Sequence, residues 1–260
     1  MTVRSDVREA VATITLARPE VLNALDDATT AALARALAAT ADDAIRCVVI
    51  TGAGRAFCAG QDLQDNAAAV LSDRVPRLGD ELRRRYFPIV RAIRALRKPV
   101  VAAVNGAAVG AGLAIACACD IRVASSDASF RTGWSRVGLV PDAGAAYFLP
   151  RLVGFGRALD LLLTAEAVSA ADALRIGLVT HVFDASAFAE EVSSFARELG
   201  RGATHAFALT KEALERAAQP SLDEFLELEA RLQDEAGRSR DHAEGVRAFL
   251  EKRAPRFEGR

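Results

Sequence analysis

Two glycine-rich turns are the segments of this sequence whose backbone could do chemistry. They are Ala56-Phe57-Cys58-Ala59-Gly60-Gln61-Asp62-Leu63 and Asn105-Gly106-Ala107-Ala108-Val109-Gly110-Ala111-Gly112. Each follows a short valine-rich run and leads toward residues that can start a helix. Small residues let a ligand approach the main chain, whose free N–H groups can then donate to it. Two N–H groups aimed at one carbonyl oxygen form an oxyanion hole, so the pair of turns indicates chemistry on an acyl group.

The elements that must position these turns alternate between strand and helix. The segment from Gln64 to Gly79 has few periodic cues and contains Pro76, which predicts a mobile loop. The alternation elsewhere predicts an α/β core with a largely parallel sheet. The predicted order is a strand at 11–16, a helix at 28–40, a strand at 46–51, a helix at 80–96, a strand at 100–104, a helix at about 110–118 and a strand at 120–124.

The C-terminal third is predicted to be helical. After Gly154 only residues 178–183 are predicted to be extended. With no Gly- or Ser-rich linker before it, this region indicates an appendage packed on the core or on a neighbouring subunit. Helices are predicted near 156–164, 169–176, 186–200, 203–218, 221–236 and 240–251.

The composition excludes several classes of protein. The chain has 260 residues, 51% of them hydrophobic, which suits one large domain or one domain with a small appendage. A net charge of -1 argues against a general nucleic-acid binder. No apolar signal segment and no stretch of about 20 apolar residues is visible, so no membrane span is expected. The cysteines form no CxxC pair and the histidines lack metal-ligand spacing, so we expect a reduced cytoplasmic protein without metal or separate cofactor.

The two turns and three further segments together resemble the crotonase, or enoyl-CoA hydratase/isomerase, superfamily. The further segments are Arg18-Pro19-Glu20-Val21-Leu22-Asn23-Ala24-Leu25, Gly138-Leu139-Val140-Pro141-Asp142-Ala143-Gly144, and Gly177-Leu178-Val179 with Thr210-Lys211. The resemblance covers nearly the whole chain and implies the α/β crotonase (ClpP-like) spiral fold of ββα units. It implies a core at 1–195 and a helical region at 196–260 that covers the site and forms the interface of a homotrimer or a dimer of trimers.

The resemblance also implies an acyl-CoA thioester as the ligand, with coenzyme A as part of the substrate. Carried onto this chain, the N–H groups of Ala59 and Ala111 would hold the thioester oxygen. Asp62 is expected to act in a turn or as an N-cap rather than as an acid. The implied substrate-binding residues are Ala24, Gly60, Gln61, Asp62, Leu63 and Gly110, with Trp134 as a wall of the acyl pocket.

The acidic residues depart from the commonest family activity. Hydratases of this family carry two glutamates, and the matching positions here are Ala114 and Trp134. Ordinary two-glutamate hydration is therefore not expected. One carboxylate remains, Asp142. An Asp at this turn resembles the ring-epoxide isomerase of phenylacetate breakdown, 2-(1,2-epoxy-1,2-dihydrophenyl)acetyl-CoA isomerase, and related Δ3-Δ2-enoyl-CoA isomerases, in which a single Asp moves a proton between two carbons.

Several alternatives stay open for Asp142. It could simply cap the helix that 143–148 begins, because Asp is a favoured N-cap residue. In the dehalogenase branch a Trp and an Asp stand at these two positions with Asp as nucleophile, but the histidine base that the branch needs at 83–96 is missing. A hydratase, lyase or thioesterase reaction, or a non-catalytic acyl-CoA-binding role, also remains. We predict an acyl-CoA isomerase with Asp142 as its single acid/base.

Overall fold

The structure, a computed structural model, describes residues 1–64, 67, 71, 77–217 and 220–260. Most of the predicted loop from Gln64 to Gly79 lies outside these residues. Among the described residues, no helix is long and apolar enough to cross a membrane.

The larger of two sheets has six strands in the order β1-β2-β3-β5-β7-β10. The first pair is antiparallel and the remaining neighbours are parallel. The central strands are buried and rich in valine, isoleucine and alanine, as expected for a parallel sheet covered on both faces. The strands are β1 Val3–Arg8, β2 Val11–Leu16, β3 Cys47–Gly52, β5 Val100–Val104, β7 Ile121–Ser125 and β10 His181–Phe183.

The smaller sheet has four short strands in the order β4-β6-β8-β9. The chain passes three times from the larger sheet to the smaller one, from β3 to β4, from β5 to β6 and from β7 to β8. These passes build the spiral of repeated units, and the first two carry the glycine-rich turns. The strands are β4 Ala56–Cys58, β6 Ala107–Val109, β8 Ser129–Arg131 and β9 Val168–Ser169.

Helices pack on both faces of the larger sheet. The main core lies between the sheets and includes Ile14, Ile50, Phe57 and Ile93. A second cluster of buried hydrophobic residues packs the helix Phe188–Arg201 on the outer face of the larger sheet. The helices described are α1 Asp27–Ala39, α2 Leu78–Arg85, α3 Phe87–Ala95, α4 Ala111–Ala118, α5 Ala145–Val153, α6 Phe155–Thr164, α7 Ala170–Arg175, α8 Phe188–Arg201, α9 Thr204–Arg216, α10 Leu222–Gly237 and α11 Arg240–Glu251.

Two predicted elements need correction. The helix predicted at 80–96 is two helices, α2 and α3, because Pro88 in the first turn of α3 cannot donate a backbone hydrogen bond. The helical backbone also begins earlier than predicted, at Leu78. The extended stretch predicted at 178–183 forms a strand only over its last three residues, in β10.

The C-terminal helices are anchored at the edge where the parallel strands begin. Lys211 of α9 donates to the carbonyls of Leu96 and Lys98, at 2.7 and 2.9 Å, and forms an ion pair of 2.7 Å with Asp120. Arg46, just before β3, donates to the Phe257 carbonyl at 2.7 Å and so holds the C-terminal tail. The region therefore packs at the end of the sheet opposite to the glycine-rich turns.

The predicted division at residue 195 falls inside a helix. Phe188, Val192 and Ala196 of α8 all pack on the outer face of the larger sheet. The whole of α8 is thus part of the core layer, and the C-terminal region begins after Gly202.

Candidate active site

The two glycine-rich turns lie side by side because the strands that precede them are neighbours. In the smaller sheet β4 and β6 are parallel, with Cys58 paired to Ala108. Ends of parallel strands meet at one sheet edge. A Cβ placed on Gly60 would lie 2.8 Å from the Val109 carbonyl oxygen and 3.4 Å from the Ala111 nitrogen. The predicted meeting of the two turns is therefore present in the structure.

A loop at Leu22–Leu25 pairs with the first turn along its length. The Ala59 N–H donates to the Leu22 carbonyl at 2.9 Å, and the Leu25 N–H donates to the Gly60 carbonyl at 2.8 Å. The Asp62 N–H donates to the Leu25 carbonyl at 3.0 Å. This is a short parallel bridge between Leu25 and Gln61.

The Ala59 N–H, predicted to be an oxyanion donor, is not free in this pairing, because it bonds the Leu22 carbonyl. In a parallel bridge the flanking residues bond the partner, so the N–H of the central residue points to the other side. The central residue is Gln61, and within the described part of the chain its N–H has no hydrogen-bond acceptor.

The second predicted donor, Ala111, has suitable geometry. It is the first residue of α4, and the first N–H groups of a helix have no partner within it. Gly110 before it has a φ of +51°, which swings the chain from β6 into the helix. Over the residues that the structure describes, no acceptor bonds the Ala111 N–H. Gln61 and Ala111 therefore present free N–H groups where the two turns adjoin.

Asp142 is half-buried and is the acidic residue predicted to act at this site. It follows the 3-10 helix Trp134–Val137 and precedes α5. Its Oδ1 is buried and has no hydrogen-bond partner among the described residues. Burial raises the pKa of Asp142, and hydrogen bonding with the Trp134 side chain offsets part of that rise. A carboxyl in this setting can both accept and return a proton.

The capping interpretation of Asp142 is wrong. The N-cap of α5 is Gly144, whose φ is +84°, and no side chain caps this helix. Ala143 between them also has a positive φ, +47°, which is uncommon for a residue other than glycine. Such a backbone conformation is typical of functional sites, where surrounding structure holds the strain.

Apolar side chains occupy the two positions that hold glutamates in hydratases. Ala114 is completely buried within α4, and Trp134 is 5% exposed. Neither side chain carries a carboxyl group. The buried Cys58 thiol beside the first turn has its pKa raised to about 12 by burial, which removes it as a nucleophile at neutral pH.

The remaining predicted residues lie on the rim of the same region. Ala24 is buried and its carbonyl accepts a hydrogen bond of 2.8 Å from Arg18. Asp62 forms an ion pair of 3.2 Å with Arg18 and accepts the Gln64 N–H, so it acts in a turn as expected. Leu63 is 60% exposed. The sequence motif contained Arg18 but gave no sign of these contacts.

Comparison with known proteins places these features in a family. Residues 6–260 match the family model described as Enoyl-CoA hydratase/isomerase. The chain is 46% identical to a probable enoyl-CoA hydratase of Rhodobacter capsulatus, over 100% of this chain and 98% of that protein. It is 43% identical to the 1,2-epoxyphenylacetyl-CoA isomerase of Escherichia coli, over 98% of both.

A solved structure agrees with these sequence matches. A Mycobacterium abscessus protein assigned to the enoyl-CoA hydratase/isomerases superposes with a TM-score of 0.95 at 42% identity, covering 99% of this chain and 100% of that one. The predicted crotonase fold is thereby confirmed. The chain belongs to the enoyl-CoA hydratase/isomerase family.

Proposed function

We propose that this protein is an acyl-CoA isomerase in which Asp142 alone moves the proton. The observation that carries the proposal is the half-buried Asp142 carboxyl, whose buried Oδ1 has no partner among the described residues, with alanine and tryptophan at the hydratase glutamate positions. The two free N–H groups of Gln61 and Ala111 would bind the thioester oxygen. Gln61 thus replaces Ala59 in the role first predicted for it.

The reaction then needs one base and one oxyanion hole. The Asp142 carboxylate removes a proton from a carbon of the acyl chain, and the electron pair moves to the thioester oxygen as an enolate. The enolate then collapses, and the carboxylic acid returns the proton to a different carbon. One oxyanion donor stabilises such a state by about 2.7–4 kcal/mol. A positioned base adds roughly 10²–10⁴-fold to the rate.

The substrate class follows from the lining and from the relatives. Trp134 faces Asp142, and an aromatic wall suits a ring-derived or an unsaturated acyl group. The Escherichia coli relative is named as an isomerase of an epoxyphenylacetyl thioester. We extend this class, ring-derived or enoyl-CoA thioesters, to the present chain, with Ala24 and the rim at Gly60–Leu63 and Gly110 holding the coenzyme A part.

We also propose that the protein assembles as a homotrimer or a dimer of trimers. The C-terminal region is held at the edge where the parallel strands begin, through Lys211 and Arg46. Phe155 of α6 is 75% exposed, and Leu222 of α10 is 71% exposed. Two different apolar surfaces on one chain suit a head-to-tail interface that closes into a ring.

The test is proton transfer in deuterated water. The protein is incubated with 3-enoyl-CoA and aryl-epoxide-type CoA thioesters, and mass spectrometry follows deuterium uptake and product. We expect exchange and isomerisation in the wild type, and neither in Asp142→Asn, which keeps the shape of the side chain. A covalent acyl or aryl adduct would instead indicate a nucleophilic Asp142. Binding without exchange would leave a non-catalytic role, and water addition would indicate a hydratase.

A further inference from the structure

Arg18 joins the two segments that form one side of the proposed site. One terminal nitrogen, Nη1, lies 2.8 Å from the Ala24 carbonyl oxygen, 3.0 Å from Asp26 and 3.2 Å from Asp62. All three charged side chains are largely buried, with exposed fractions of 15–21%. The guanidinium therefore ties the Leu22–Leu25 loop to the turn that contains Gln61.

We propose that Arg18 is a positioning residue that sets the direction of the Gln61 N–H. This proposal rests on the proposed function, in which that N–H is an oxyanion donor. The Gln61 N–H belongs to the Gly60–Gln61 peptide, whose carbonyl accepts the Leu25 N–H, so the position of Leu25 sets the direction of that N–H. Arg18 holds the residues on either side of Leu25, through the Ala24 carbonyl and Asp26, against Asp62, which follows Gln61 directly.

The charge balance makes this arrangement depend on Arg18. Burial alone would raise the pKa of Asp26, but hydrogen bonds from Thr29 and the charges of Arg18 and Arg85 outweigh it, and that pKa is lowered. The side chains of Asp26 and Asp62 both contact the same Arg18 nitrogen. Without Arg18 the loop and the turn would lose this shared contact, and only the charge of Arg85 would still act on Asp26.

The loop that Arg18 joins to the turn has an irregular backbone. Three backbone hydrogen bonds join it to the turn, and within it Leu22 and Asn23 both have positive φ values, 54° and 58°. Such conformations persist only where the surrounding structure holds them. Displacing a reacting group by about 1 Å can cost 10²-fold in rate. The Arg18 contacts are therefore expected to affect chemistry more than binding.

The test compares Arg18→Met with Arg94→Met as a matched control. Arg94 also contacts one carbonyl, that of Ala118, and two carboxylates, Asp120 and Glu215, but at the opposite edge of the sheet. Two readouts are used, steady-state kinetics with a 3-enoyl-CoA and the absorption of bound cinnamoyl-CoA. Hydrogen bonds to the thioester oxygen shift that absorption to longer wavelength without any turnover.

We expect Arg18→Met to lower kcat about 10- to 100-fold with KM changed less than about threefold, and to reduce the spectral shift. Arg94→Met is expected to keep the kcat and the spectral shift of the wild type. Equal kcat and shift in the two variants, or a change in KM alone, would overturn the proposal. If Arg18→Met does not fold, Asp62→Asn takes its place with the same expected direction. A wild type that shifts cinnamoyl-CoA but isomerises nothing would defeat the proposed function while leaving Arg18 testable.

Discussion

The contact between the two glycine-rich turns predicts a specific effect of Gly60→Ala. Gly60 has a φ of +89°, and an added Cβ would lie 2.8 Å from the Val109 carbonyl oxygen. A positive φ costs an alanine about 1–3 kcal/mol. Forcing extra volume against backbone adds about 1–3 kcal/mol. The variant should therefore lose about 2–6 kcal/mol of unfolding free energy.

Gly138→Ala separates these two contributions. Gly138 also has a positive φ, +69°, but a Cβ there would meet nothing within 4 Å. Gly138→Ala should lose only the unfolding free energy that a positive φ costs an alanine. The difference in unfolding free energy between the two variants therefore measures the contact of the added Cβ with Val109. We would measure both by urea denaturation at one protein concentration, since assembly would otherwise change the apparent stability.

Catalytic activity should distinguish Gly60→Ala from Gly138→Ala more sharply than stability does. The added methyl of Gly60→Ala pushes against the segment that carries Ala111, so the two N–H groups should no longer converge. Misplacing one oxyanion donor should lower kcat about 10²–10³-fold. Gly138→Ala should keep kcat close to wild type under the same assay. If both variants showed the same stability loss and the same kcat, the contact between the turns would not shape the site, and the reasoning would fail.

Four further predictions concern ionisable groups. Because the Trp134 side chain lowers the pKa of Asp142, Trp134→Phe should move the acid limb of the kcat/KM–pH profile to higher pH. The raised pKa of Asp142 in the folded state gives stability at acid pH that is lost as pH rises, so Asp142→Asn should gain more stability at pH 7 than at pH 3, by urea denaturation. Lys211→Met removes one of the two cations that pair with Asp120 and leaves Arg94 in place, so it should cost about 1–3 kcal/mol of unfolding free energy. An arginine ion pair lowers the pKa of Glu244 to about 2, so its hold on the C-terminal tail should weaken as pH falls from 4.5 to 2, and hydrogen exchange of the tail would show it.

The elements that the sequence predicted well are those with strong local signals. Strands β3 and β5 are continuous buried apolar runs, and their predicted bounds differ from the observed ones by at most one residue. The three-residue strands β4, β6 and β8 are too short for any periodicity to show. Strand β1 was missed because only Val3 of its six residues is buried, so it has no alternating apolar face.

The candidate site could be predicted only in part from the local sequence. The turn sequence indicated that some backbone N–H would be free, but it did not show which one. That choice depends on pairing with Leu22 and Leu25, which are distant in the sequence. Gly60, with a φ of +89°, interrupts the extended backbone between Ala59 and Gln61, so the folded loop decides which of the two N–H groups stays free.

The surroundings of Asp142 explain why one carboxyl could serve where hydratases use two. Hydration needs one group to activate water and another to deliver a proton, whereas isomerisation needs one group that takes a proton and returns it. A base works best when its pKa lies near that of the group it deprotonates. A carboxyl whose pKa is raised by burial is therefore a stronger base than an exposed carboxyl. In the proposed isomerase, the buried methyl of Ala114 offers no group to hold a water molecule where a hydratase has a carboxylate, and excluding water would protect the enolate between the two proton transfers.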